Sequence, residues 1–235
     1  MKTNLFIAAL SLVVLAGCSS EDEVGTLVAK NDNVINFTTY VGKQTKAAVE
    51  GTALPAKAEF GVFAYNTKEA LWNASATSAT PNFMYNQKVT FDGANYTYSP
   101  VKYWPNAEKV SFIGYYPFPT ETNGVSVSST FTNKSTGLPK IEFTIPSSEN
   151  GVTDLLVSTV ANDKSKETVS LTFQHVLSKV KFSAQTIAEG STVTINTITL
   201  TGIKNGGTYD CAAGTWTSST TCLLYTSPSP RDYAA

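Results

Sequence analysis

Apolar and polar residues alternate with a period of two through much of this chain. Ile35, Phe37 and Val41 give the first clear example, and the pattern returns many times. This period is typical of β-strands with one buried face. Strands are predicted at 35–41, 59–65, 89–91, 96–98, 110–114, 141–145, 155–157, 169–173 and 180–182. Many short strands separated by Gly, Pro and Asn predict an all-β protein with a β-sandwich.

Two local signals refine this prediction. Asp92-Gly93 between two strands indicates a hairpin. A helix is indicated only around Ala70 and near 150–154.

A second run of strands, at 193–195, 198–200 and 208–209, follows a polar stretch at 187–191. We therefore place a first β-sandwich domain at 34–185 and the start of a second β-domain at 186–221. Three strands are too few to close a sandwich of ordinary size. The second domain is therefore expected to be truncated, with exposed apolar edges that favour aggregation.

The N-terminus has the features of a lipoprotein signal peptide at 1–17. A charged start precedes an apolar run from Leu5 to Leu15, which is too short to span a bilayer. Leu15-Ala16-Gly17-Cys18 resembles the bacterial lipobox, which implies cleavage between Gly17 and Cys18 and acylation of Cys18. The acidic stretch that follows is interpreted as a solvated tether at 18–33. It resembles a surface-export signal, and a plain linker is the alternative.

The last residues, 222–235, differ from everything before them. From Cys222 to Asp232 they resemble the translation of one frame of a transposon-end sequencing adapter, and a genuine Ser/Pro-rich tail is the alternative. We interpret this tail as adapter-derived and expect the native chain to be interrupted near Thr221. Arg231, the only arginine in the sequence, lies in this tail.

Composition and spacing argue against several classes of function. A net charge of −1 without a basic cluster argues against nucleic-acid binding. His175 is the only histidine and has no nucleophile motif near it, so it is interpreted as a core or edge residue. Cys211 is interpreted as a small buried residue. No catalytic residue, metal site or cofactor is predicted, and the protein is interpreted as a non-enzyme.

Aromatic residues leave a second interpretation open. Tyr115 and Tyr116 are adjacent, and neighbouring strand residues point in opposite directions, so one of them is expected to face outward and could stack on a glycan. Trp104, flanked by Pro100 and Pro105, is predicted to pack in the core.

Several segments together resemble the fimbrillin family of the Bacteroidota. They are Tyr98-Ser99-Pro100-Val101-Lys102-Tyr103-Trp104-Pro105, Val110-Ser111-Phe112-Ile113-Gly114-Tyr115-Tyr116-Pro117, Asp154-Leu155-Leu156-Val157-Ser158 and the stretch from Leu171 to Phe182. The resemblance implies two transthyretin-like β-sandwich domains in an outer-membrane lipoprotein of a fimbrium. In major subunits of that family a protease removes the first strand, and a strand of the next subunit replaces it. Ile35, Phe37 and Val41 would form the removable strand here.

The chain departs from the family pattern at the cleavage loop. Family members often carry an arginine after the first strand, whereas this chain has Gln44-Thr45-Lys46-Ala47. Either a protease that accepts lysine cuts between Lys46 and Ala47, or the first strand stays in place. This favours an anchor, accessory or tip subunit over a shaft subunit. The expected partners are other fimbrial subunits, the outer membrane through the lipid, and a host or bacterial surface ligand. The alternative is a surface glycan-binding lipoprotein that does not polymerise.

Overall fold

The computed structural model describes residues 33–42, 52–146, 154–178 and 197–219, together with the main chain of 222–227. Almost all regular structure in these residues is β, which confirms the all-β prediction. One short helix, α1, spans Trp72–Ser75, close to the helix predicted around Ala70. The strands are β1 Phe37–Val41, β2 Glu59–Lys68, β3 Met84–Phe91, β4 Tyr96–Thr97, β5 Lys109–Tyr116, β6 Val125–Val127, β7 Lys140–Thr144, β8 Leu156–Ser158, β9 Ala161–Lys164, β10 Val169–His175, β11 Ile198–Lys204, β12 Gly206–Asp210, β13 Thr215–Ser218 and β14 Cys222–Ser227.

Eight strands form the principal sheet, in the order β1-β10-β8-β5-β2-β3-β4, with β9 also paired to β5. β1 runs parallel to β10, and the other pairs are antiparallel. The predicted hairpin at Asp92-Gly93 joins β3 to β4, with Thr90 opposite Thr97. β1 and β4 therefore lie at the two edges of this sheet.

The principal sheet curls until its two edges touch. The Tyr98 hydroxyl, just after β4, donates a hydrogen bond of 2.8 Å to the Ile35 carbonyl beside β1. The Phe60 ring on β2 contacts Tyr96 on one side and Phe173 on the other. Inside the curl lies the first core, which includes Phe37, Phe60, Phe112, Leu171 and Phe173.

A second core lies on the opposite face of the principal sheet. There the four-stranded sheet β13-β12-β7-β6 contributes Val125, Ile141 and Phe143, which pack with Phe63 and Tyr115 of the principal sheet. Because β2 and β5 supply alternate residues to both cores, nearly every side chain along their middle is buried. The central strands are thus covered on both faces.

β12 and β13 follow the predicted domain boundary at residue 186 but pair with strands that precede it. β12 pairs with β7 over its whole length, from Gly206 opposite Thr144 to Asp210 opposite Lys140. β13 then pairs with β12, and Trp216 packs against the second core. The division into two domains at residue 186 stays a prediction.

Other parts of the prediction lie partly or wholly outside the described residues. The predicted strands at 180–182 and 193–195, and most of the helix predicted at 150–154, fall there. β14, which pairs with β11, coincides with the tail that we interpret as adapter-derived. In the part of the chain that is described, no helix is long and apolar enough to cross a bilayer.

Candidate subunit interface at the first strand

β1 lies at an edge of the principal sheet and is held by a single neighbouring strand, β10, within the described residues. The parallel register runs from Phe37 opposite Val169 to Val41 opposite Phe173. An edge strand has one row of main-chain groups that face away from its sheet. β1 is therefore placed where a strand can leave or enter without separating two other strands.

The three residues predicted as the removable strand all contribute to the first core. Ile35 and Val41 are fully buried and Phe37 is 4% exposed, whereas the intervening Thr38 and Tyr40 are exposed. Full burial of an aliphatic or aromatic side chain contributes about 1.5–3 kcal/mol, so the three together contribute roughly 5–9 kcal/mol. The alternation predicted from the sequence thus fills a groove, which we call the β1 groove: the space occupied by Ile35, Phe37, Thr39 and Val41.

Main-chain hydrogen bonds hold the two ends of β1. Before the strand, the Ile35 amide donates to the Lys102 carbonyl at 3.0 Å. At its end, the Val41 amide donates to the Thr52 carbonyl at 3.1 Å, and the Gly42 amide donates to the Phe173 carbonyl at 2.9 Å. Main-chain groups are the same in every sequence, so these contacts would accept any extended strand.

The other predicted processing and anchoring residues lie outside the described residues. Gly17 and Cys18 belong to the N-terminal part, and Lys46 and Ala47 belong to the segment between β1 and Thr52. The lipid anchor and the cleavage site therefore stay predictions.

The structure corrects the expectation for Tyr115 as a glycan contact. Its side chain is 1% exposed, and its hydroxyl donates a 2.6 Å hydrogen bond to Asn86 Oδ1. Burial raises the pKa of this phenol well above its usual value. Tyr116 is half-buried and packs against the first core, and burial, together with the nearby Asp154, raises its pKa. Neighbouring strand residues do face opposite ways, but here both faces of the sheet are covered, so Tyr115 cannot reach a glycan.

Trp104 is 3% exposed and touches Phe112 with its ring centroid at 5.9 Å, which confirms the prediction that it packs in the core. Cys211 is a free, partly buried thiol. Burial and the neighbouring Asp210 raise the pKa of Cys211 to about 12. The thiol is therefore protonated at neutral pH and is a poor nucleophile.

His175 forms a buried pair that sequence reasoning missed. Its Nδ1 lies 2.6 Å from Asp154 Oδ2, and the two side chains are 1% and 5% exposed. Asp154 stands just before β8 and His175 ends β10, so the pairing of these two strands brings them together. Among the described residues, no three His, Cys, Asp or Glu side chains form a group that could hold a metal ion. Because both side chains are buried, we describe the pair as a buried polar contact.

Three comparisons place this chain among known proteins. A family model described as fimbrillin-like matches residues 45–234. The fimbrium subunit Fim1C of Phocaeicola vulgatus is 30% identical over 192 residues, which are 77% of this chain and 50% of that protein. The chain thus spans about half the length of this curated relative.

Among solved structures, a fimbrial protein from Bacteroides vulgatus matches with a TM-score of 0.55 at 22% identity, covering 84% of this chain and 70% of that one. A putative cell adhesion protein from Bacteroides uniformis matches with a TM-score of 0.48 at 14% identity, covering 81% and 70%. At 22% identity the first of these supports the fold. The family model covers most of the sequence, from β2 to β14, and begins after β1. The chain therefore belongs to the fimbrillin-like family of the Bacteroidota.

Proposed function

We propose that this protein is a fimbrial subunit of the bacterial cell surface that joins other subunits by exchange or edge pairing of a β-strand. The observation that carries the proposal is the position of β1. It is an edge strand, yet its inward residues Ile35, Phe37 and Val41 complete a core. The names of the relatives, a fimbrium subunit and a fimbrial protein, support the part of the proposal that makes this protein a fimbrial subunit.

The chemistry of exchange follows from the pairing of β1 with β10. If β1 leaves, the main-chain groups of β10 that face it lose their partners, and Leu171 and Phe173 lose cover on the side of the groove. A strand from another subunit with alternate apolar residues would restore both the hydrogen bonds and the cover. The subunit would thereby be joined to its neighbour without any catalytic step.

We further propose that release of β1 depends on cleavage between Lys46 and Ala47. Arg231 is the only arginine, so an arginine-specific protease has no site before it. If cleavage does not occur, β1 stays in place and the subunit cannot accept a strand there. That outcome corresponds to an anchor, accessory or tip subunit rather than a shaft subunit.

Limited proteolysis of the folded protein tests this proposal. A lysine-specific protease is expected to cut after Lys46 first, and an arginine-specific protease is expected to leave residues 18–221 intact. Lys46→Gln should abolish the early cut. Lys57→Gln serves as the matched control, because Lys57 lies in an exposed turn next to β2. Early cutting at Lys57 with Lys46 untouched would contradict the proposed site.

Strand exchange itself is tested after that cut. The nicked protein, mixed with a labelled peptide of residues 33–42, is expected to take up the peptide and release its own β1. Nicked protein that neither exchanges the peptide nor forms oligomers would refute the exchange mechanism.

We also propose that Cys18 is acylated and tethers the protein to the outer membrane, through the acidic tether at 18–33. The lipobox-like Leu15-Ala16-Gly17-Cys18 supports this. Two acyl chains give stable anchoring, whereas one gives only marginal binding. Metabolic labelling with palmitate should mark the wild-type protein and not Cys18→Ser, and the variant should leave the membrane fraction. Equal membrane retention of both would argue against the anchor.

A further inference from the structure

Two tyrosines of the β3–β4 hairpin form the wall of the β1 groove opposite β10. Tyr96 belongs to β4 and Tyr98 follows it, at the far edge of the principal sheet. Because the sheet curls, both side chains reach β1. They contact it in two different ways.

Tyr98 contacts this segment through one main-chain hydrogen bond and one aromatic ring contact. Its hydroxyl donates to the Ile35 carbonyl at 2.8 Å. Its ring meets the Phe37 ring edge-on, with centroids 5.6 Å apart. A carbonyl is present at every residue, so the hydrogen bond of Tyr98 positions the strand and does not distinguish one sequence from another.

Tyr96 contacts β1 through a side chain. Its hydroxyl shares a hydrogen bond of 2.8 Å with the Thr39 hydroxyl. Thr39 is the inward-facing residue between Phe37 and Val41, and it is partly buried. It is also the polar exception among the four inward residues of the groove.

The position of Tyr96 is fixed by its neighbours. Its ring stacks on Phe91 with centroids 4.6 Å apart and planes 18° apart, and it meets Phe60 edge-on at 6.1 Å. A hydroxyl held on a ring packed in this way cannot move far to find another partner. If the third inward residue of the strand were apolar, the phenol would lose its protein partner at a partly buried site, which is unfavourable.

We propose that Tyr96 determines which strand the β1 groove accepts. The groove selects an extended strand that carries serine or threonine at its third inward position, after two large apolar residues and before a smaller one. The claim about a strand from another subunit rests on the exchange mechanism proposed above. The claim about β1 itself does not.

A double-mutant cycle in the full chain tests the inference without strand exchange. Thr39→Val keeps the shape of the side chain and removes its hydroxyl, and it is expected to raise the unfolding equilibrium constant about five- to tenfold. In a Tyr96→Phe background the same change is expected to alter that constant less than about twofold, because no phenol is left unpaired. Urea denaturation followed by tryptophan fluorescence measures both.

Two controls make the cycle specific. Thr38→Val, on the exposed face of β1, should not couple to Tyr96→Phe. Tyr98→Phe should weaken the protein equally with threonine or valine at position 39. Equal effects of Thr39→Val in the wild-type and Tyr96→Phe backgrounds would overturn the inference, as would loss of cooperative unfolding in Tyr96→Phe, which would give Tyr96 a purely structural role.

Peptide binding separates this inference from the proposed function. The nicked protein is expected to bind the 33–42 peptide about five- to tenfold more tightly than the peptide with valine at position 39. It should lose that preference when Tyr96→Phe is present. If neither peptide binds while the cycle shows coupling, strand exchange fails and the role of Tyr96 for β1 stands. If both peptides bind equally, Tyr96 does not select the strand.

Discussion

Breaking the buried pair of Asp154 and His175 is predicted to destabilise the protein strongly. The carboxylate and the imidazole are 2.6 Å apart, and neither side chain is more than 5% exposed. Asp154→Ala would leave the imidazole buried without this partner. Leaving a buried polar group without its hydrogen-bond partner typically costs about 1–3 kcal/mol, because that group stays desolvated.

The magnitude is large enough to measure by several methods. A loss of about 1–3 kcal/mol corresponds to a fall in Tm of roughly 2–12 °C in a protein of this size. Urea denaturation at neutral pH gives the free energy of unfolding directly. The chain has one histidine, so the imidazole signals in an NMR spectrum report on this pair without ambiguity.

Two further variants test whether the loss of stability in Asp154→Ala comes from the burial of the pair or only from the short distance between its partners. Lys88→Ala removes an ion pair of similar length, 2.9 Å to Glu59, but both partners are more than a third exposed. That change is expected to cost less than about 1 kcal/mol. Replacing both Asp154 and His175 by leucine is expected to recover most of the loss, since two apolar side chains leave no unpaired polar group. If Asp154→Ala unfolds within about 0.5 kcal/mol of the Lys88→Ala variant, the reasoning from burial is wrong.

Two further predictions concern the middle of the principal sheet. Gly61→Ala would place a methyl group inside the ring of Tyr115, and is expected to cost about 1–3 kcal/mol in urea denaturation. Gly42→Ala meets only an ordinary contact and should cost less than Gly61→Ala, so equal losses would contradict the packing argument. Burial raises the pKa values of Tyr65 and Tyr115. The stability this provides is complete below about pH 10 and falls as pH rises further, by up to about 1.4 kcal/mol per pH unit for each tyrosine, because only the unfolded chain ionises. Tyr65→Phe should make the fall of stability above about pH 10 less steep. An unchanged slope would contradict the link between the burial of Tyr65 and this pH dependence.

The strands that the sequence predicts are those whose own residues show which side is buried. β1, β7 and β10 alternate cleanly between buried and more exposed positions, and each was expected close to where it lies. β2 and β5 were expected from their content of apolar and aromatic residues. Here the periodicity conveys little, because both faces of these strands are covered.

Besides β14, which lies in the tail, three strands were not expected: β6, β9 and β13. β9, Ala161–Lys164, is rich in polar residues and resembles a turn, and it is extended because it pairs with β5. β6 and β13 are short edge strands of the four-stranded sheet. β13 pairs with β12 in a hairpin, and β6 pairs with β7, the next strand along the chain. With four and three residues respectively, each is too short to show a clear alternation.

The candidate interface was partly predictable, because its strand has one buried face. Alternation predicted that Ile35, Phe37 and Val41 lie on the buried face of a strand, and the resemblance to the fimbrillin family implied that this strand is removable. The contribution of Tyr96 was not predictable, because the curl of the sheet brings it to Thr39 from the opposite edge, 57 residues away. Asp154 and His175 likewise meet through strand pairing across 21 residues.

The energetics of β1 explain why exchange would require both a cut and a replacement strand. Its three buried side chains contribute roughly 5–9 kcal/mol, which is comparable with the whole stability of a typical domain, about 5–15 kcal/mol. A subunit with an empty groove would therefore be scarcely stable. While the chain is continuous, β1 is also present at a high effective concentration and returns faster than a separate strand can arrive. A cut after Lys46 would remove that advantage, and an incoming strand with the same pattern would restore the lost burial. The net change in free energy would then be small, and the choice between strands would depend on specific contacts such as the hydrogen bond between Tyr96 and Thr39.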